Sequence, residues 1–333
     1  MLLVDLCNSI APSGYEECAR NIIREKVKDL VDEINIDKMG NLIAHKKGSG
    51  PKVALYSHMD EIGFIITGYN DDGTLRFSTL GNIDSNAVAS KVVCVGQKKI
   101  PGVIGLKPIH LQDKKERMEK IKFSNCCIDI GSASKEETRE VVKLGDYAVF
   151  NTEFKEFGDN LIKGKGFDDR IGCSVLINIL KEEYECDLYC IFNVQEKVGQ
   201  RGAFVSTFNV KPDLCIVVDA YESNDIPGTP KYLEISDIGG GPVISVKSGS
   251  LLFNNNITNS IISIAIQSGI NYQWKSDSMC KNEAHAIDMI GEGTNIAAVS
   301  IPCRYIHSSV SVCSLNDYNN TIDLLINYLK SFK

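Results

Sequence analysis

Five short polar clusters carry the residue types from which hydrolytic chemistry is built. They are His58-Met59-Asp60-Glu61, Gln195-Glu196-Lys197, Asp219, Arg304-Tyr305-Ile306-His307 and Phe167-Asp168-Asp169-Arg170. The first four fall where an apolar, strand-like run ends, and the fifth opens a helix-like run. Ligands of open α/β sheets bind at the carboxyl ends of strands, so side chains at such ends can converge. Imidazoles gathered with carboxylates are donors that suit a divalent ion of zinc type. A single Asp or His is more often a surface or core residue. Five clusters in matching positions are the signal. Other hydrolytic and nucleotide chemistries lack their parts, since the chain has no Gly-x-Ser-x-Gly elbow and no Gly-Lys-Ser/Thr loop.

The elements that must position these clusters follow from periodicity. Ser13-Gly-Tyr-Glu16 has the spacing of a capping box, and Ala19, Ile22, Ile23, Val27 and Leu30 recur behind it at helical intervals. A hairpin is expected from Ile34 to His45, turning at Lys38 to Asn41, and then a strand from Lys52 to Ser57 that ends at His58. Between Tyr69 and Phe150 the texture changes to short β-like runs (75–77, 92–96, 103–106 and 127–130) divided by Gly, Asn-Asp and Pro turns. Two polar helices are expected among them, over Lys114 to Lys122 and Lys135 to Val142. The α/β rhythm then returns, with helices over 171–180, from 202, over 257–268 and over 314–331. Strands fall at 188–195, 214–219, near Tyr272 and at 298–301. Strands alternating with helices predict a sheet covered by helices on both faces.

Composition narrows the partners. At 333 residues the chain is long enough for two domains, or one core with an insertion. A 43% hydrophobic and 24% charged balance is that of a folded globular protein, and the net charge of −7 disfavours nucleic acid. The start has no basic segment before Arg20, and no eighteen apolar residues run together, so neither a secretory leader nor a membrane span is expected. The twelve cysteines form no C-x-x-C pair and sit mostly in apolar runs, as reduced core thiols of a cytoplasmic protein would. His45 and His110 read as structural, and the Lys114 to Lys122 stretch, interleaved with acids, as a solvated face.

Several stretches together resemble one family, the tetrahedral (TET) or glutamyl and deblocking aminopeptidases, whose members are often labelled cellulase M or endoglucanase. The stretches are LYSHMDEIGF (55–64), GVIGLKPIHL (102–111), IDIGSASKEE (128–137), GKGFDDRIGC (164–173), QEKVGQRGA (195–203), GGGPVI (239–244) and IPCRYIHSSV (301–310). The resemblance spans essentially the whole chain. It implies an α/β fold with a mixed sheet between helices, formed by residues 1–65 and 155–333. Residues 66–154 would form an inserted, small β-barrel-like domain used in homo-oligomer assembly, from dimer to dodecamer. The implied chemistry removes residues from free amino ends with two divalent ions, zinc or cobalt. His58 and Asp219 would hold one ion and Asp168 would bridge, Asp169 being the other candidate for that role; His307 would serve the second ion. Asp60 would orient His58, and Glu196 would be the general base. Arg201, Glu283 and His285 are candidate cleft residues, although for His285 a solvated or hydrogen-bonded role is favoured.

Three departures from the family pattern fall around the same cleft. Lys197 stands where the family has a ligand Glu, and a protonated lysine cannot ligate. Lys281 to His285 replaces a Gly-Thr-Asp-Ala-Gly run, and Ser309 and Ser311 replace a Pro and a Glu. The expected activity is therefore peptidase chemistry on short peptides with one firm ion and a doubtful second. The rival is a weakened relative that binds peptides or serves assembly. Glycan hydrolysis is discounted, because its paired carboxylates need no histidine-containing metal site.

Overall fold

A computed structural model of the chain describes residues 2–275 and 282–332. Cys280 and Lys281, among the residues singled out above, lie outside the described residues. After helices α1 (Leu2–Asn8) and α2 (Glu17–Val27) come strands β1 (Glu33–Ile36), β2 (Leu42–Lys46) and β3 (Lys52–His58). Strands β4 (Gly63–Tyr69), β5 (Leu75–Leu80), β6 (Val92–Val95), β7 (Ile100–Leu106) and β8 (Cys126–Asp129) follow, then α3 (Lys135–Val141) and β9 (Tyr147–Phe150). Next are β10 (Lys155–Phe157), β11 (Leu161–Gly164), α4 (Phe167–Ile179), β12 (Asp187–Asn193), α5 (Arg201–Val210) and β13 (Leu214–Ser223). The last third holds β14 (Val243–Ser245), the short hairpin strands β15 (Lys247–Ser248) and β16 (Leu251–Leu252), and α6 (Asn255–Gln267). It closes with β17 (Gln273–Lys275), α7 (Ala284–Ile287), β18 (Ile296–Arg304), β19 (Ser311–Ser314) and α8 (Leu315–Leu329).

The larger sheet is mixed, in the order β1-β2-β12-β3-β13-β18-β19-β11-β10, with β14 and β17 branching from β18. Its centre, where β12, β3, β13 and β18 meet, is parallel, and its flanks are antiparallel. Side chains alternate across a strand, so a parallel strand covered on both faces reads as one apolar run. In β3, Val53 and Leu55 pack on the face covered by α1, α2, α4 and α8, while Ala54 and Tyr56 pack on the face covered by α5 and α7. That is why the Val-Ala-Leu-Tyr run shows no polar alternation although every residue is placed by period two.

The smaller unit is a closed barrel of β4-β5-β8-β7-β6-β9. Here one face is dry, and Phe64, Ile66, Leu75, Val93, Val95, Ile104, Ile128 and Phe150 fill the interior. Phe64 meets Phe77 and Phe150 edge to face, at centroid distances of 5.0 and 5.3 Å. The barrel opens five residues after His58, so β3 delivers its last residue to the seam between the two units.

Three local expectations are corrected. Ser13 and Glu16 make no capping box: the Ser13 hydroxyl donates to Asp60 (2.6 Å), and the Glu16 carboxylate accepts from the N–H groups of Gly14 and Gln195. Both groups found more demanding partners in the centre described below than a helix end exposed to water. The helix expected over Lys114 to Lys122 is only a 3₁₀ turn, Glu116–Met118. Its residues are exposed, so no apolar stripe sustains a longer helix. Asp219 does not end a strand, since β13 continues to Ser223 against β18. The expected terminal cap at Ser314 is present, its hydroxyl accepting from the N–H groups of Asn316 and Asp317.

Candidate metal centre

Strand β3 ends in register with β12, His58 opposite Asn193, and the Met59 N–H donates to the Asn193 carbonyl at 2.7 Å. The buried His58 ring is then set by a carbonyl oxygen, which can only accept. Nδ1 lies 3.0 Å from the Asp60 backbone oxygen, so Nδ1 carries the proton and donates. Nε2 therefore faces the centre, 3.0 Å from Asp168 Oδ1 and 3.1 Å from Lys197 Nζ. Burial and the Lys197 ammonium disfavour charge on the ring, but Asp168 and Asp60 raise it well above the usual imidazole range.

Asp60 ties three segments together. Its carboxylate accepts from the Ser13 hydroxyl and from the backbone N–H groups of Glu196 and Lys197, both at 3.0 Å. Burial pushes the group up, but the His58 ring and the Ser13 hydroxyl outweigh it and bring it to about 2. Glu16 braces the same turn by accepting from the Gln195 N–H at 3.0 Å, and Gln195 takes a left-handed φ of 56°. The turn that carries Glu196 and Lys197 thus hangs on two buried carboxylates.

The two adjacent aspartates divide their work. Asp169 is wholly buried, accepting from the Ser57 hydroxyl and the Gly172 N–H, and burial together with Asp219 raises its carboxyl well above the usual range. Asp168 faces the centre, and one oxygen meets His58 and Lys197 while the other lies 2.9 Å from His307 Nε2. Burial opposes its ionisation, yet the Lys197 ammonium and the two imidazoles hold it well below the carboxylate range. Behind this pair, Lys165 Nζ sits 2.7 Å from both oxygens of Glu61, and Arg170 donates to the carbonyls of Leu6 and Ala11.

Donor atoms of His58, Asp168 and Asp219 all lie within 4.8 Å of one another. Asp219 Oδ1 is buried with no hydrogen-bond partner, and burial and Asp168 push its carboxyl up to about 6. Two carboxylates, one of them with that orphaned oxygen, and one imidazole are donors that suit a single divalent ion. A second ion would find Asp168 Oδ2 and His307 but no third donor at position 197, where Lys197 stands. That side chain is 7% exposed, and its Nζ lies 2.7 Å from Asp168 Oδ1 and 2.8 Å from Glu196 Oε2. Burial disfavours its charge, but Asp168 and Glu196 raise it well above the usual lysine range, so it is an ammonium.

The three cleft candidates differ. Glu283 is buried near the centre, one oxygen accepting from Asn193 at 2.9 Å and the other unpaired; burial pushes it up to about 8. Arg201 is exposed at the start of α5, and His285 lies beside Gly249, so neither joins the centre by a hydrogen bond among the described residues. A cavity of about 740 Å³ opens between the barrel and the β18–β19 loop, lined among others by Ile83, Asp84, Lys91, Tyr305 and His307. Sequence reasoning missed the roles of Ser13, Glu16, Glu61 and Lys165. No spacing rule links residues 13 and 16 to 60 and 195, and only the run His58 to Glu61 hinted at a larger acidic group.

Residues 40–324 match the family described as M42 glutamyl aminopeptidase. The chain is 32% identical to the lysyl aminopeptidase of Pyrococcus furiosus over 343 residues, covering 100% of this chain and 97% of that protein. Its fold is similar to that of a TET aminopeptidase from the marine sediment archaeon Thaumarchaeota archaeon SCGC AB-539-E09, with a TM-score of 0.95 and 32% identity over 99% of this chain and 95% of that one. It is also similar to the Pyrococcus horikoshii TET1 peptidase, which can assemble into a tetrahedron or a large octahedral shell. There the TM-score is 0.87 and the identity 31%, over 98% of each chain.

The bracing role of Asp60 makes a direct prediction. Asp60→Asn turns one acceptor oxygen into an amide that must face the N–H of Glu196 or Lys197. Activity on a peptide substrate and divalent-ion affinity should each fall about 10- to 100-fold. Unchanged values in both assays would mean that neighbouring groups alone hold the turn.

Proposed function

The chain belongs to the M42 glutamyl aminopeptidase family, and on that premise we propose that it removes residues from the free amino ends of short peptides in the cytoplasm. The observation that carries the reading is the convergence of His58, Asp168 and Asp219 beside the buried carboxylate of Glu196. A divalent ion, zinc or cobalt, held by those three residues would acidify water and polarise the scissile carbonyl.

The chain's own residues supply the rest. Glu196 is held by its backbone N–H to Asp60 and lies 8% exposed, close enough to His58 (3.7 Å) to serve as base for water attacking at the centre. The His58–Asp60 contact keeps Nε2 of the imidazole turned inward. Lys197 presents a positive charge beside Glu196 and Asp168, where it can stabilise negative charge developing on a peptide carbonyl. One divalent ion and the Lys197 ammonium together balance Asp168, Asp219 and Glu196, whereas two ions and the ammonium would leave the centre positive. The second ion is accordingly absent or weak in this reading. The peptide would lie in the cavity between the barrel and His307. The barrel would carry homo-oligomer contacts, as the assemblies formed by the Pyrococcus horikoshii relative suggest.

The position of Lys197 also favours the rival reading, a weakened relative that binds peptides or serves assembly. Turnover decides between them: a panel of aminoacyl chromogenic substrates should be cleaved with the ion present and not after chelation. No cleavage of any member by ion-loaded protein would leave the rival.

Three further outcomes are expected. Glu196→Gln keeps the shape and removes the basicity, so activity should fall by about two to four decades while ion binding persists; an unimpaired variant would remove Glu196 as the base. Ion content should be near one per chain by elemental analysis, and Lys197→Glu, which supplies the missing donor beside His307, should raise it towards two and increase activity. Deletion of residues 66–154 should leave a monomer by light scattering where the full chain forms dimers or larger assemblies; an oligomer of unchanged size would place the contacts elsewhere.

A further inference from the structure

Lys197 does more than fill the position of a missing ligand. Its Nζ lies 3.1 Å from His58 Nε2 and 2.7 Å from Asp168 Oδ1, and Asp219 also adds to its stabilisation. Those are the three residues whose donor atoms gather within 4.8 Å. His307, the residue that would serve a second ion, meets the other oxygen of Asp168 and is not a partner of the ammonium. The lysine therefore reaches across to the His58 side of the centre.

The His58 ring makes this contact specific. Nδ1 is committed as a donor to the Asp60 carbonyl, so Nε2 is the ring atom left to face the centre. With the ammonium 3.1 Å away, an ion cannot reach that atom unless the side chain leaves. The Asp168 oxygen facing it is likewise shared. Asp60 holds the backbone of Lys197 at 3.0 Å, so the tether that delivers the ammonium is itself fixed.

We propose that Lys197 is a built-in competitor for the divalent-ion site: its ammonium occupies the ion-facing atoms of His58 and Asp168, and an ion binds there only by pushing the side chain away. This rests on the reading above that His58, Asp168 and Asp219 hold the ion, and it concerns how tightly they do so. The apparent affinity is reduced by the fraction of molecules in which the lysine holds the site. On release, the ammonium keeps Glu196 as partner at 2.8 Å, which leaves it poised beside the base.

Competition has a signature that a merely structural lysine lacks. Lys197→Met keeps the length and the apolar stem and removes the charge. Calorimetric titration of Co²⁺ or Zn²⁺ into the chelated full-length protein should show affinity raised by at least about tenfold in this variant over the wild type. Equal or weaker affinity in a folded Lys197→Met protein overturns the proposal. Should that variant not fold, Lys197→Gln is titrated in the same way, with the same criterion. Wild-type crystals soaked in Co²⁺ give an independent reading by anomalous scattering. With the ion at His58, Lys197 Nζ should have moved out of hydrogen-bond range of Nε2, and an ion bound while that contact persists overturns the competition. His58→Ala separates the two ideas: undiminished ion affinity in that variant refutes the ligand set itself, whatever Lys197 does.

Discussion

Negative charge gathered in a nearly dry place is the constraint around which the centre is built. Asp60, Asp168, Asp169, Asp219, Glu196 and Glu283 are all buried within one region around the end of β3. A buried carboxylate must be paired, hydrogen-bonded or protonated, because desolvation alone is too costly. Each solution is used. Asp60 takes backbone N–H groups and a hydroxyl; Asp169 and Glu283 are pushed towards the neutral acid; Asp168 and Glu196 share an ammonium. Asp219 keeps an unpaired oxygen, and that residual demand is what an ion would answer.

The same constraint explains the surrounding scaffold. Glu61 is neutralised by Lys165, with Arg170 3.6 Å away, and Arg170 in turn fastens the first helix region through the carbonyls of Leu6 and Ala11. Charges placed for chemistry in front of α4 are thus backed by charges placed for architecture behind it. The parallel strands supply rigidity, since β3 and β12 are covered on both faces and cannot shift register without turning apolar side chains out of the core. Ion pairing on such a frame is specific because the partners cannot relax away.

Position 197 is where the chain departs from the motif it otherwise resembles, a lysine standing where the resemblance implies a ligand Glu. An acid there would add a fourth carboxylate to Asp168, Asp219 and Glu196, and two divalent ions would then balance the charge. A lysine both removes an acid and adds a cation, so the balance would be reached with one ion fewer. The long, flexible stem lets its charge reach His58 Nε2 and Asp168 Oδ1 together.

Much was legible in the chain itself. Apolar runs ending in His58 and near Glu196 located two strand ends, and short β-like runs divided by turn residues set the barrel region apart from the α/β region, because run length, period and turn chemistry are local properties written residue by residue. The types of the site residues, and the oddity of a lysine at 197, were equally plain from family-like motifs. Other features depended on contacts between segments far apart in the chain. Ser13 and Glu16, which look like a helix cap, instead serve Asp60 and Gln195, and Lys165 finds Glu61 across more than a hundred residues. Whether Lys197 turned outward or into the centre could not be read from its neighbours in sequence either. Its direction is set by Asp60 gripping its backbone and by carboxylates delivered from other strands and helices, and only the closed fold brings those charges within reach of one ammonium.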